Sequence, residues 1–358
     1  MALSGNKGEW SELYVLFRLL ADGRLNSGDG KLNINLEKFF PILKVFRSDD
    51  IEHRTEYTVI ENTHSILIKQ GNSSELILSQ SEFDRQAKIL YYAIKELSSS
   101  GSIEDAELFM KRLGESNIGH KASEKSDIRI VIHDLRTGTT PELGYSIKSK
   151  LGGNSTLVNS SKDASNFIFR INGFPQSEVD RFNSLQYFKH KTDLLNNNNS
   201  SLEFVDTARE TMRTNLDMLD TSLVRIIAEC LKLYYLQRAR DLKDCCDILN
   251  EENPLGFNLK TQKLFYEYKI KQFLLAFALG MTVGTVWDGK FNANGGYIIV
   301  KEDGSIVSYH FFDRNDLEDY LFYNTYFETP STSRHDYGYV YQENGQMLLK
   351  LNIQIRFK

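Results

Sequence analysis

Three side chains near the middle of the chain offer a carboxylate, a hydroxyl and an ammonium group. They belong to Asp127, Ser146 and Lys148. Carboxylate and hydroxyl oxygens suit a hard divalent cation such as Mg²⁺. An ammonium group beside such a site can orient water and stabilise negative charge that develops on a phosphate. We therefore take Asp127, Ser146 and Lys148 as candidate catalytic residues, with Asp127 also as a metal ligand.

These residues lie on two segments with the alternation of half-buried strands. IRIVI at 128–132 alternates isoleucine with other residues, and GYSIKS at 144–149 places Tyr145 and Ile147 on one side. The intervening LRTGTTPEL contains the turn residue Gly138. The pattern predicts two paired strands. The side chains of Ser146 and Lys148 share one face, and Asp127 lies at the end of the neighbouring strand, where it can approach them.

The spacing alone leaves a second interpretation open. An aspartate and an SxK triplet occur by chance in many chains, so a surface aspartate and solvated strand lysines explain the same residues. The pattern nevertheless resembles the PD-(D/E)xK nuclease superfamily. Ser126-Asp127 stands in place of Pro-Asp, and Ser146-Ile147-Lys148 in place of (D/E)xK. Because the middle position is a hydroxyl, one metal-binding charge must come from elsewhere.

Longer strings carry a more specific resemblance. These are NKGEWSELY (6–14), LGYSIKSKLGGNSTLVN (143–159), SNFIFRING (165–173), GGYIIVKEDG (295–304) and PSTSRHDYG (330–338). Together they are similar to the HpaII-like type II restriction endonucleases over nearly the whole chain. The resemblance implies magnesium-dependent hydrolysis of double-stranded DNA at the palindrome CCGG, with sensitivity to cytosine methylation.

An N-terminal helix offers the missing acid. Apolar residues recur at helical spacing from Asn6 to Ala21, and Glu9 and Glu12 lie three residues apart on this helix. The resemblance to PD-(D/E)xK nucleases implies a metal-proximal glutamate here, so both are candidate metal ligands. Asn6 with Glu9 equally fits a capping box, in which the glutamate binds the cap amide.

A donor-rich segment near the C-terminus is the candidate for reading DNA. Thr332, Ser333, Arg334 and His335 lie close together on an expected loop. Arginine is the side chain best suited to take guanine through two parallel hydrogen bonds. A phosphate contact and a structural salt bridge remain alternatives for Arg334. Lys150, just beyond the catalytic strand, is a further candidate for DNA binding.

Composition is that of an ordinary globular protein. The 358 residues include 43 Lys and Arg against 48 Asp and Glu, for a net charge of -5. The net negative charge argues against a protein surface that is positive overall. DNA binding therefore requires local clusters of cations. The three cysteines form no CxxC pair, and no apolar run is long enough for a membrane span. We expect a cytoplasmic protein with no membrane association.

The predicted architecture is α/β (α+β). A mixed-sheet PD-(D/E)xK nuclease core with its N-terminal helix is expected over residues 1–195, and a helical, then β-rich, DNA-recognition region over 202–358. The polar run 196–201 marks the boundary, unless it is a surface loop within one domain. We also expect a break at Pro41 and a short helix over 154–159.

Two functions remain at this point. The first is a magnesium-dependent, site-specific DNA endonuclease. The second is a non-catalytic, sequence-specific DNA-binding regulator that uses the same segments for affinity only. A palindromic target favours a symmetric homodimer, although a monomer that cuts the two strands in turn is physically allowed.

Overall fold

The computed structural model of the protein describes residues 3–47, 54–71, 75–115, 117–118 and 126–358. The strands are β1 (Gly5–Asn6), β2 (Arg24–Gly28), β3 (Ile34–Arg47), β4 (Thr55–Ile60), β5 (Ser65–Gln70), β6 (Leu76–Ser79), β7 (Ser100–Gly101), β8 (Ile128–Ile132), β9 (Glu142–Ser149), β10 (Thr156–Val158), β11 (Asn166–Asn172), β12 (Ser201–Thr207), β13 (Gly296–Val300), β14 (Ile306–His310), β15 (Thr325–Phe327), β16 (Val340–Glu343), β17 (Gln346–Asn352) and β18 (Ile355–Phe357). The α-helices are α1 (Lys7–Asp22), α2 (Gln80–Glu96), α3 (Glu104–Arg112), α4 (Val179–Ser184), α5 (Phe188–Asn197), α6 (Glu210–Leu219), α7 (Leu223–Tyr235), α8 (Leu242–Glu252), α9 (Phe265–Leu279), α10 (Arg314–Tyr323) and α11 (Thr332–His335). Short 3₁₀ turns occupy Glu61–Thr63, Gln176–Glu178 and Phe311–Asp313. This mixture of helices and mixed sheets confirms the α/β class.

The chain forms two compact units whose limits differ from the predicted ones. The first unit comprises Met1–Ser155 with Phe291–Tyr320, and the second comprises Thr156–Lys290 with Leu321–Lys358. Residues 156–195 therefore lie in the second unit, and residues 291–320 return to the first. The physical reason is long-range strand pairing: β13 pairs with β9, and β11 pairs with β12 and β17. The polar run 196–201 lies inside the second unit and joins α5 to β12.

The first unit is built on a nine-stranded mixed sheet. Its order is β2-β14-β13-β9-β8-β3-β4-β5-β6, with an additional pairing between β2 and β3. The pairs β13–β9 and β14–β2 are parallel, whereas the other pairs are antiparallel. Strand β9 thus lies between β8 and β13. It is flanked by the strand just before it in sequence and by one about 150 residues further on.

Helix α1 is largely buried against this sheet. Asn6 caps it by accepting hydrogen bonds from the backbone of Gly8 and Glu9, and Gly23 ends it with a left-handed backbone, φ 62°. Its residues Trp10, Leu13 and Phe17, among others, belong to the hydrophobic core of the unit. This burial fixes the helix in position, so its polar residues have defined places relative to β9.

Strand β3 continues through Pro41, where we expected a break. The strand spans 14 residues, and its register shifts at two points: against β2 between Asn26 and Ser27, and against β8 between Ile42 and Lys44. Proline lacks only the N–H donor, which a strand can lose at an irregular position. The prediction of a break was therefore wrong.

The second unit contains two smaller sheets and a group of helices. The sheets have the orders β10-β18-β15 and β12-β11-β17-β16. Helices α6 to α9 contact one another in pairs, and α9 carries nine buried residues, as expected for a core helix. Residues 156–158, expected to be helical, form the strand β10 and pair with β18. None of the helices in the described ranges combines the length and apolar character that a membrane span requires.

Candidate active site

The predicted hairpin is present, and it holds the three candidate catalytic residues. β8 and β9 pair antiparallel, with Ile128 opposite Tyr145. Asp127 comes directly before β8, and its backbone N–H donates to the carbonyl of Tyr145 at 2.8 Å. Ser146 and Lys148 lie two residues apart on β9, so their side chains leave the same face. The strand pairing therefore brings all three to one place.

Hydrogen bonds link these three side chains. The Ser146 hydroxyl donates to Asp127 Oδ2 at 3.1 Å, and Lys148 Nζ donates to Ser146 Oγ at 3.0 Å. The backbone N–H of Ile147 also donates to Asp127 Oδ2, at 2.7 Å. The carboxylate is thus fixed by two donors, and the ammonium group is held through the hydroxyl. The serine that replaces an acid in the motif serves as the bridge between the two charged groups.

Tyr297 is a neighbour that sequence patterns did not reveal. It lies on β13, in register with Ser146 on β9. The Lys148 ammonium lies 5.4 Å from the centre of its ring, a cation–π distance. Burial raises the pKa of the Tyr297 hydroxyl, and the charge of Asp127 raises it further. The segment GGYIIVKEDG contains Tyr297, but nothing local in the sequence indicates that it pairs with β9.

Glu12 is the acid that the structure brings near Asp127. Burial raises the pKa of Glu12 to about 8, and repulsion from Asp127 is the next cause. The positive charges of Arg47 and Lys148 lower the pKa of Glu12, but by less than burial and Asp127 raise it. A carboxylate whose pKa is raised by burial and by a second nearby carboxylate is typical of a site that binds a cation. Of the N-terminal acids, Glu12 is the one whose pKa is governed by burial and by the charges of the hairpin residues.

Glu9 has the capping role that the sequence also allowed. Its Oε2 accepts a hydrogen bond from the backbone N–H of Asn6 at 2.7 Å, while the Asn6 side chain accepts from Glu9 N at 3.1 Å. The side chain is exposed, and its charge reaches Glu12 only as the last of the effects on that group. Of the two predicted glutamates, only Glu12 is grouped with the hairpin residues.

Arg47 is a second cation near this site that the sequence did not indicate. It is buried at the end of β3, and its guanidinium donates to the carbonyls of Asn117 and Ile118. Its Nη1 lies 3.5 Å from Glu115 Oε2. These partners hold the positive charge in place, where it lowers the pKa of Glu12.

The residues predicted to bind DNA lie in two places. Thr332, Ser333, Arg334 and His335 form the short helix α11 of the second unit, where a loop was expected, and Ser331 caps this helix. The Arg334 side chain is exposed, and no carboxylate within the described ranges forms an ion pair with it. Burial lowers the pKa of His335, and Arg334 lowers it further.

Lys150 follows β9 in the first unit. Its backbone N–H donates to the carbonyl of Val300 at 2.9 Å, and its side chain is half-buried. It is therefore close in sequence to the catalytic candidates but in a different unit from α11.

Comparisons with known proteins give the class and the family. The model of the HpaII restriction endonuclease family matches residues 6–357. The chain is 43% identical over 356 residues to the type II restriction enzyme HpaII of Haemophilus parainfluenzae, covering 99% of this chain and 98% of that enzyme. A search of solved structures gave no match.

The structure thus joins a carboxylate, a hydroxyl and an ammonium group at one strand pair of a mixed α/β protein. The full-length match makes this protein a type II restriction enzyme, a site-specific deoxyribonuclease whose partner is double-stranded DNA. It belongs to the HpaII restriction endonuclease family. The alternative of a non-catalytic regulator is not supported, because both matches are to enzymes.

Proposed function

We propose that Asp127, Ser146, Lys148 and Glu12 form the catalytic centre that hydrolyses phosphodiester bonds of duplex DNA. One observation carries this proposal. The hydroxyl of Ser146 joins the Asp127 carboxylate to the Lys148 ammonium group, and the pKa of the adjacent Glu12 is raised to about 8. Surface residues in chance proximity have no reason to combine hydrogen-bonded opposite charges with a desolvated second acid.

Lys148 is proposed to act on the phosphate and on the attacking water. Its ammonium group carries three donors, of which one is used by Ser146. The remaining donors are available for a phosphate oxygen and for a water molecule. Because the charge on the phosphate grows as the new bond forms, a fixed cation stabilises the transition state more than the bound substrate. The Tyr297 ring keeps the ammonium group in place.

Asp127 and Glu12 are proposed to hold a magnesium ion, with the Ser146 hydroxyl as a third oxygen donor. The residues fit this role for two reasons. All the donors are oxygens, and the negative charge of Asp127 raises the pKa of Glu12, which a bound cation would offset. No group of three or more His, Cys, Asp or Glu ligands exists in the described part of the chain. Mg²⁺ is the ion that tolerates few protein ligands, since it keeps several waters. When bound, such an ion lowers the pKa of water and neutralises phosphate charge.

The proposed target is the palindrome CCGG in double-stranded DNA, with cleavage reduced by cytosine methylation. This follows from the resemblance to the HpaII-like enzymes. Thr332, Ser333, Arg334 and His335 are the proposed contacts to this sequence, and Lys150 the proposed contact near the cleaved strand. A homodimer is proposed because a palindrome presents the same half-site twice. A cytoplasmic location is also proposed, since the enzymes of this family act on DNA.

The test compares four duplexes with the purified protein in the presence and absence of Mg²⁺. One contains CCGG, one has the same site methylated at cytosine, one has a scrambled site and one is non-palindromic. Cleavage of the first alone, only with Mg²⁺, is expected. Intact CCGG duplex at every protein and Mg²⁺ concentration would contradict the proposal.

A further inference from the structure

The second unit contains a cleft that shares only Thr332 and Ser333 with the proposed DNA contacts. Its volume is about 810 Å³. One side is formed by residues 186–189 at the start of α5, and another by residues 237–240 after α7. The third side is the segment 329–333, which leads into α11. All of these residues belong to the same compact unit, so the cleft is a feature of that unit alone.

The charge of the cleft is opposite to that of the protein. The chain carries five more acids than bases, whereas the cleft wall contains Lys189, Arg238 and Arg240 and, in the described part of the chain, no carboxylate. Arg238 is neutralised by Glu252. Lys189 and Arg240 are exposed, and within the described ranges neither has a carboxylate at ion-pair distance. Two uncompensated cations therefore face the cleft.

The wall also carries hydrogen-bond donors suited to phosphate, beside the aromatic side chains of Tyr187, Phe188 and Tyr234. Hydroxyls come from Thr329, Ser331, Thr332 and Ser333, and an amide comes from Gln237. Phosphate oxygens in DNA complexes are contacted mainly by lysine, arginine, hydroxyl and amide side chains. The guanidinium of Arg240 lies 4.1 Å from the centre of the Tyr326 ring, which fixes its direction.

The concave shape decides which part of a duplex fits. A base edge lies inside a groove, so a protruding element must enter the groove to read it. The sugar-phosphate backbone is the ridge between the grooves, and a concave surface receives a ridge. The cleft suits the backbone, whereas α11 on its rim, with Arg334 exposed, suits the groove beside that backbone.

We propose that this cleft binds the sugar-phosphate backbone of one DNA strand through Lys189 and Arg240. The inference rests on the proposed function, because it takes duplex DNA as the substrate. It adds phosphate-binding residues that neither the sequence motifs nor the family comparisons indicated.

The test measures binding of full-length protein that carries Lys148→Ala, so that cleavage does not interfere. In this background Lys189→Ala/Arg240→Ala is compared with Lys260→Ala/Lys263→Ala. The control removes two exposed cations of the same unit outside the cleft. Dissociation constants are measured for CCGG and scrambled duplexes over a series of salt concentrations, and circular dichroism verifies that each variant is folded.

The cleft variant is expected to weaken binding of both duplexes equally, by about tenfold or more, and to reduce the salt slope by about 1.8, since each lost phosphate contact contributes about 0.9. The control is expected to change either value far less. Lys189→Ala alone removes an exposed side chain and should give roughly half of the change in slope.

Three outcomes would overturn the proposal. Equal losses in the cleft variant and the control would mean that only net charge matters. Loss confined to the CCGG duplex would assign the cleft to base reading. Unchanged binding in a folded cleft variant would show that DNA does not bind in the cleft. None of these depends on the catalytic centre, whose own failure would appear separately as DNA cleavage by the Lys148→Ala protein.

Discussion

Each unit buries one ionisable side chain whose pKa is shifted to about 8, yet the two surroundings differ. Burial raises the pKa of Glu12 in the first unit and lowers the pKa of Lys191 in the second. The charges of Asp127, Arg47 and Lys148 act on Glu12. Around Lys191, by contrast, burial is the sole cause of the shift.

The immediate partners of Lys191 explain why it is a structural group. Its ammonium donates to the carbonyl of Gly338 and lies about 5 Å from the centres of the Phe182 and Tyr339 rings. In the described ranges no carboxylate forms an ion pair with it, and only 2% of the residue is exposed. A shifted pKa therefore does not mark a functional site by itself. The proposed centre at Glu12 rests in addition on the charges of Asp127, Arg47 and Lys148 that act on this group.

The largest effect expected from this comparison is at Glu12. Glu12→Gln keeps the size of the side chain and removes one proposed metal-binding charge, so the cleavage rate should fall by about a thousandfold, equivalent to about 4 kcal/mol of the barrier. Single-turnover cleavage of a CCGG duplex measures this change.

Glu9→Gln on the same helix is the matched control. Glutamine can still accept the hydrogen bond from Asn6, because the capping box permits Glu or Gln at this position. Cleavage and stability should therefore both stay close to those of the parent. If Glu9→Gln abolishes cleavage and Glu12→Gln does not, the assignment of the second acid is reversed.

Ser146→Ala should have a smaller effect on the same reaction. It removes the link between Asp127 and Lys148 but leaves the bond from Ile147 N to the carboxylate. A loss of about a hundredfold is expected, because two hydrogen bonds to charged groups are lost, worth together about 3 kcal/mol. Ser149→Ala, on the same strand, is the control, since its hydroxyl contacts Ser11 instead. Equal cleavage rates for the two variants would show that Ser146 is not part of the catalytic centre.

The raised pKa of Glu12 also predicts a pH dependence of stability without metal. The folded protein holds this proton up to about pH 8, whereas the unfolded chain releases it near 4.5. The free energy of unfolding should therefore fall as the pH rises through this window, by at most about 5 kcal/mol. Denaturant titrations in a chelator measure the fall, which Glu12→Gln should abolish. Added Mg²⁺ should offset it by binding the ionised carboxylate.

Lys191 should show the opposite slope and no catalytic effect. Its pKa is about 8 in the folded protein and 10.5 when unperturbed, so the unfolded chain binds more protons between these values. The free energy of unfolding should rise across this window, by at most about 3 kcal/mol. Lys191→Met should lose this rise and keep the cleavage rate. A large loss of cleavage in a folded Lys191→Met protein would break the distinction between the two regions.

Local sequence patterns predicted the β8–β9 hairpin well, because strand alternation and turn residues are short-range signals. Alternation over 128–132 and 144–149 was enough to place Ser146 and Lys148 on one face. Local sequence patterns could not decide whether Glu9 or Glu12 lies at the proposed metal site. Both lie on one helix, and only the packing of α1 against the sheet separates a capping role from a place beside Asp127.

Long-range strand pairing explains the features of the fold and the site that local sequence patterns could not predict. Tyr297 enters the site because β13 pairs parallel with β9, and no local feature specifies that partner. The same pairing moved residues 291–320 into the first unit, contrary to the predicted division. At 156–158 pairing with β18 replaced the expected helix, since tertiary contacts override weak local preference.

The most direct test of the catalytic centre is Lys148→Ala, with cleavage and binding measured on the same CCGG duplex. Lys69→Ala is the control, because Lys69 is an exposed strand lysine paired with Glu75. We expect Lys148→Ala to bind DNA like the parent and to cut it about a thousandfold more slowly, with Lys69→Ala unchanged in both. Cleavage by Lys148→Ala at the rate of the parent would contradict the account.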